Sequence, residues 1–122
     1  MACDNGEYGY GGVFEVTPTE TGSMLWFFSA SYGGPDGAYP IGGLVLKDHQ
    51  LYGTTYYGGQ YGNGSVFELI PGSPDMVLYS FTGGGDGGGP TDTLVRDTSG
   101  NLYGTTHNGG AYGYGSVFVL TP

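Results

Sequence analysis

Basic residues are nearly absent from this chain. Lys47 and Arg96 stand against 11 acidic residues, giving a formal net charge of −9. Nucleic acids and anionic membrane surfaces both require clustered cations that displace counterions, so neither is expected as a partner. Cysteine is scarcer still: Cys3 is the only one, which excludes an internal disulfide and any cysteine-based zinc cluster. Charged residues reach only 11% while aromatics make up 16%, the reverse of a disordered chain. No apolar run approaches the roughly 20 residues of a membrane helix, and no signal peptide is recognisable. Membrane insertion is therefore not expected, and export would depend on a targeting segment outside this sequence. No window combines helical periodicity with caps, and glycine at this density costs a helix about 1 kcal/mol per residue.

What the chain has in excess is glycine, 28 of 122 residues, and tyrosine, 12 residues. Both belong to an internal repeat, the feature that decides the fold class. Three segments read alike: Tyr8–Pro18, Tyr61–Pro71 and Tyr112–Pro122, with their Val-Phe pairs ending at Phe14, Phe67 and Phe118, 53 and then 51 residues apart. Leu51-Tyr-Gly-Thr-Thr55 recurs as Leu102-Tyr-Gly-Thr-Thr106, and the Gly-x-Asp-Gly turns at Asp36 and Asp86 form a third matching block. Each period holds four short strand-like runs closed by glycine or proline: Gly42–Leu46, Gln50–Thr55, Ser65–Ile70 and Met76–Phe81, with counterparts at Thr93–Arg96, Asn101–Thr106, Ser116–Thr121, Gly12–Thr17 and Met24–Phe28. Four strands in about 51 residues is the pattern of a propeller blade, a meander whose faces are buried only when neighbouring blades stack on it. A single β-sandwich is the competing architecture.

The combination of Gly43-Leu-Val45, Leu51–Thr55, Gly58-Gly59 and Gly64–Phe67 recurs as Leu94-Val95, Gly100–Thr106, Gly109-Gly110 and Gly115–Phe118. It resembles the GloVer tandem repeat, a unit of about fifty residues found in arrays in exported bacterial proteins. The resemblance implies an all-β fold of propeller-like blades and an extracellular or cell-surface setting. It brings no catalytic residues with it.

One repeat domain is expected over residues 1–122, as a partial blade at 1–32, a full blade at 33–83 and a partial blade at 84–122. Propellers close with about four to eight blades, so two and a fraction would leave sheet faces and strand edges open. The expectation is a homo-oligomer or filament in which blades are shared between copies of the chain. The run Leu25, Trp26, Phe27 and Phe28 is the candidate self-association segment, because four large apolar residues in succession bury both faces of a strand.

Three kinds of residue are candidates for chemistry. Asp36, Asp86 and Asp92 offer loop carboxylates for Ca²⁺, set against the ordinary use of Asp-Gly as a turn. Tyr56, Tyr57, Tyr61, Asn108, Tyr112 and Tyr114 place aromatic rings beside small polar groups, a composition suited to glycan binding. Tyr52 and Tyr103 repeat with the blade and read as packing residues. For catalysis, His49 and His107 are not spaced as a metal pair, no nucleophile-elbow motif is present, and no cofactor is implied. The reading is a non-enzymatic extracellular module that assembles with itself, with a carbohydrate-binding module as the alternative.

Overall fold

A computed structural model describes residues 11–19, 22–28, 37–71 and 76–121, with Phe27 described through its backbone alone. Nine strands and no helix occur among the described residues: β1 (Gly12–Val16), β2 (Gly22–Phe27), β3 (Val45–Lys47), β4 (Gln50–Thr55), β5 (Ser65–Leu69), β6 (Met76–Ser80), β7 (Val95–Arg96), β8 (Leu102–Thr106) and β9 (Ser116–Leu120). They form three antiparallel sheets in chain order: β1-β2, the four-stranded meander β3-β4-β5-β6, and β7-β8-β9. The all-β class and the repeat are thus both present.

The first strand of each repeat is shorter than expected. It begins at Val45 rather than Gly42, because Gly42 and Gly43 serve contact between repeats instead. A Cβ on Gly42 would meet the Asp92 carbonyl oxygen at 2.5 Å, and the Gly43 amide donates to Thr93 Oγ1 at 2.9 Å. Leu44 and Leu94 lie 50 residues apart but Leu51 and Leu102 lie 51 apart, and the extra residue has a local cause. Asp48 and His49 form a two-residue turn with φ of 52° and 65°, whereas the longer Asp97–Gly100 turn is pinned by Asp97, whose carboxylate accepts from the amides of Ser99 and Asn101.

The sheets bury alternate residues of the same strand on opposite sides, as the two-residue period of a strand requires. On β5, Phe67 and Leu69 join Val13 and Phe28 of the first sheet in one apolar seam, flanked by Leu25, Trp26, Leu44 and Leu51. Val66 joins Tyr52, Phe81, Leu94 and Leu102 in a second seam towards the third sheet, flanked by Val45, Tyr79, Phe118 and Leu120. Seven positions correspond one to one: Val13 with Val66, Trp26 with Tyr79, Phe28 with Phe81, Leu44 with Leu94, Leu51 with Leu102, Phe67 with Phe118, and Leu69 with Leu120. Complete burial of Phe28, Phe67 and Phe81 contributes about 2–3 kcal/mol each.

The repeat motif is the requirement list of this seam. Gly53 pairs across the ladder with Phe67, and a Cβ there would lie 2.8 Å from the Phe67 ring and 2.9 Å from Leu44. Gly104 stands in the same relation to Phe118 and Leu94. Only hydrogen leaves room for the ring to lie over the strand. Thr55 and Ser65, also cross-strand partners, share a buried hydroxyl–hydroxyl bond of 2.8 Å, repeated between Thr106 and Ser116.

Candidate functional site

Equivalent residues have opposite fates in the middle and outer sheets. Val66 is fully buried, yet Val117, its repeat partner on β9, is 80% exposed. Tyr52 is buried where Tyr103 is exposed, and Val95 and Val119 are open beside Tyr103. At the other end, Phe14 and Val16 occupy the positions of buried Phe67 and Leu69 and are exposed, as is Met24. Each outer sheet therefore carries one apolar face of the kind that the internal seams cover.

The segment Leu25–Phe28 lies on and just after β2. Phe28 is fully buried and Leu25 and Trp26 pack at the first internal seam. Leu25 and Trp26 stay partly exposed, and the side chain of Phe27 lies outside the described residues. The unbroken apolar run follows from a bulge. Val13 pairs with Trp26 and Phe14 with Met24, which leaves Leu25 as the extra residue. The same bulge recurs at Leu78, between Tyr79 opposite Val66 and Val77 opposite Phe67.

The acidic loops are bound into the fold. Asp86 accepts from the Tyr79 hydroxyl at 2.6 Å, from the Thr82 amide at 3.1 Å and from the Thr82 hydroxyl. Burial alone would raise its pKa, but the bonds from Thr82 and Tyr79 outweigh that and hold the carboxyl below its ordinary range. Asp92 accepts from the Thr105 hydroxyl at 3.2 Å, and Asp36 lies outside the described residues. No group of three or more His, Cys, Asp or Glu that suits a metal ion occurs among the described residues. Asp97, which has no equivalent in the other turn, is the most perturbed carboxyl. The Asn101 side-chain amide at 2.9 Å, then the Asn101 backbone amide, hold it down to about 2, helped by the Tyr103 hydroxyl and the Ser99 amide. In return the bond to Asp97 raises the Tyr103 pKa, and the bond to Asp86 raises that of Tyr79.

The loop tyrosines fall into two groups. Tyr56 and Tyr57 meet edge-on at 4.5 Å, and Tyr39 meets Tyr57 at 5.8 Å, so these rings brace one another beside the Ala38–Tyr57 bridge. Tyr112 and Tyr114 are 87% and 92% exposed and line neither of the two clefts described below. Asn108 serves the backbone: its carbonyl accepts from the Gly88 amide and the Thr106 hydroxyl.

Tyr61 differs from all of these. With Gln60 it forms one wall of an open groove of about 760 Å³ along β6, completed by Val77, Leu78, Tyr79, Ser80 and Thr82. A second cleft of about 410 Å³ opens between the middle and third sheets, where Tyr52, Glu68 and Arg96 line it above Leu78, Leu102 and Leu120. Here the Arg96 guanidinium lies 6.0 Å from the Tyr52 ring centre, and burial, reinforced by Glu68, raises the Tyr52 pKa. Gln60, Tyr79 and Ser80 are absent from the candidates the sequence suggests, because Tyr79 reads as a strand residue and the other two do not recur with the repeat.

No helix among the described residues is long and apolar enough to cross a membrane. No curated protein and no solved structure matches the chain. The Gloeobacter/Verrucomicrobia repeat matches it over residues 1–122, the full span of the periodic blocks and of the paired seams they build. The chain belongs to the Gloeobacter/Verrucomicrobia repeat family.

Proposed function

We propose that the chain is a non-enzymatic, self-assembling β-repeat module of propeller type that serves as a scaffold outside the cell or at its surface. The carrying observation is the contrast between Val66, fully buried, and Val117, 80% exposed, at one repeat position. A sheet face that is covered inside the chain stands open on β9, together with Val95 and Tyr103. The first sheet presents Phe14 and Val16, equivalents of the residues that cover such faces from the opposite side.

The partner is a second copy of this chain, docked head to tail, with its Phe14 and Val16 face set against the Val117 and Tyr103 face. The two internal seams are the template for this contact. Because the joined surfaces differ, the association is heterologous: it makes a ring where the rotation closes and a filament where it does not. The extracellular setting rests on the resemblance of the repeat to units found in exported arrays.

Light scattering coupled to size-exclusion chromatography at micromolar concentration tests the reading. The expected result is a defined oligomer or fibre, reduced to monomer by Val117→Asp on one face or by Phe14→Asp on the other. A monodisperse monomer of the unaltered chain overturns it.

A further inference from the structure

We propose that the groove along β6 is a binding site for a neutral saccharide, which stacks on Tyr61 and hydrogen-bonds to Gln60, Tyr79 and Ser80. Its volume of about 760 Å³ lies within the roughly 300–1,000 Å³ typical of small-molecule sites. None of the open-face residues Phe14, Val16, Tyr103 and Val117 lines it, so saccharide binding there does not depend on assembly.

The lining selects the ligand class. Among the described residues no Asp, Glu, Lys, Arg or His lines it, so these offer neither an anion nor a cation a counter-charge. Tyr61 is 53% exposed, giving a pyranose C–H face an aromatic ring to stack on. Polar groups of both senses lie beside that ring. Ser80 Oγ accepts from the Gln60 amide at 3.1 Å, which leaves the hydroxyl proton free to donate. The Gln60 side chain, on an exposed residue, offers an amide donor and a carbonyl acceptor. Tyr79 donates to Asp86 at 2.6 Å, so its phenol oxygen faces a ligand as an acceptor with its orientation already fixed. Asp86 is in this way a positioning residue for Tyr79. A ring with one apolar face and an edge of hydroxyls matches such a set; a charged ligand or a purely apolar one does not.

Comparison of the copies within the chain points the same way. Gln60 stands where the third repeat has Ala111, and Ser80 pairs with Ser65 where Phe27 pairs with Gly12 in the first sheet. Residues that every blade needs in order to stack recur; these two do not. The scaffold therefore does not require them, and their polarity is confined to the one groove they share.

The probe is a panel of neutral glucose, xylose, mannose and galactose oligosaccharides, screened by saturation-transfer NMR and titrated by calorimetry at up to about 10 mM. The expected result is binding of at least one member that weakens about tenfold in Tyr61→Ala, the size of a lost stacking contact. Binding also weakens in Gln60→Ala and is unchanged in Tyr112→Ala, the same repeat position outside this groove. Circular dichroism shows whether the variants retain the fold. Four results overturn the proposal: no neutral saccharide bound, binding indifferent to Tyr61→Ala, equal loss in Tyr112→Ala, or binding of apolar peptides in place of sugars. Each leaves the oligomer measurement above unaffected.

Discussion

Phe81 on the middle sheet meets Phe118 on the third edge-on, with ring centroids 5.0 Å apart and planes at 66°. Phe28 and Phe67 make the same contact between the first and middle sheets, at 5.3 Å and 67°. Two contacts alike to a few tenths of an ångström, built from residues one repeat apart, show that the seam is the structural unit. Its edge-to-face geometry contributes about 0.5–1.5 kcal/mol beyond the area it buries.

Truncating the more buried ring of the Phe81–Phe118 pair is therefore costly. Phe81 is 1% exposed, and Phe81→Ala is expected to lower stability by about 3–5 kcal/mol through lost transfer energy and the cavity left behind. Urea unfolding monitored by circular dichroism measures it, with a smaller loss for half-buried Phe118→Ala.

The glycine in the Leu-Tyr-Gly-Thr-Thr motif makes room for the phenylalanine. Gly53→Ala sets a methyl group 2.8 Å from the buried Phe67 ring and is expected to cost about 1–3 kcal/mol by overpacking. Adding Phe67→Leu relieves the clash. The double variant should be more stable than the sum of the single effects by about 1 kcal/mol, and strict additivity would show that the close approach is not the cause.

One substitution at one repeat position should have two outcomes. Val66→Asp places a charge where Val66 is fully buried and is expected to abolish cooperative unfolding. Val117→Asp, on the open face, should leave stability within about 0.5 kcal/mol while removing self-association. Thermal melts separate the two, run at a concentration where the unaltered chain is dissociated.

Asp97 gives the acid limb of stability a definite position. Its carboxyl is held down to about 2 by Asn101, Tyr103 and Ser99, against about 3.9 in an unfolded chain. The stabilisation is fully present above pH ~4 and is lost as the pH falls through ~2. Carbon-detected NMR titration should find Asp97 still ionised near pH 3, and Asp97→Asn should flatten the melting profile in that window. Tyr79 and Tyr103, raised by their bonds to Asp86 and Asp97, act in the opposite sense. Their contribution is complete below pH ~10 and is lost as the pH rises through the folded values.

Leu51–Thr55 and Val66-Phe67 were legible in the sequence as strands because their alternation and their recurrence agree. The recurrence also identifies Tyr52 as a packing residue, which its burial bears out. Leu25–Phe28 was less legible: a run of four apolar residues does not disclose a bulge, and only the pairing of Val13 with Trp26 and Phe14 with Met24 shows how three of them reach one seam. The groove was hidden for a related reason. Gln60 and Ser80 lie 20 residues apart and carry no repeat signal, so nothing short of the folded loop unites them with Tyr61.

Sequence by itself determined the period, the all-β class and the residues that each seam demands, because those needs are local to a strand and its cross-strand partner and return with every copy. Tertiary structure alone decided which copy of a repeated residue is covered and which lies open. Val66 and Val117 are the same letter in the same motif, and what separates them is a neighbouring sheet on one and water on the other.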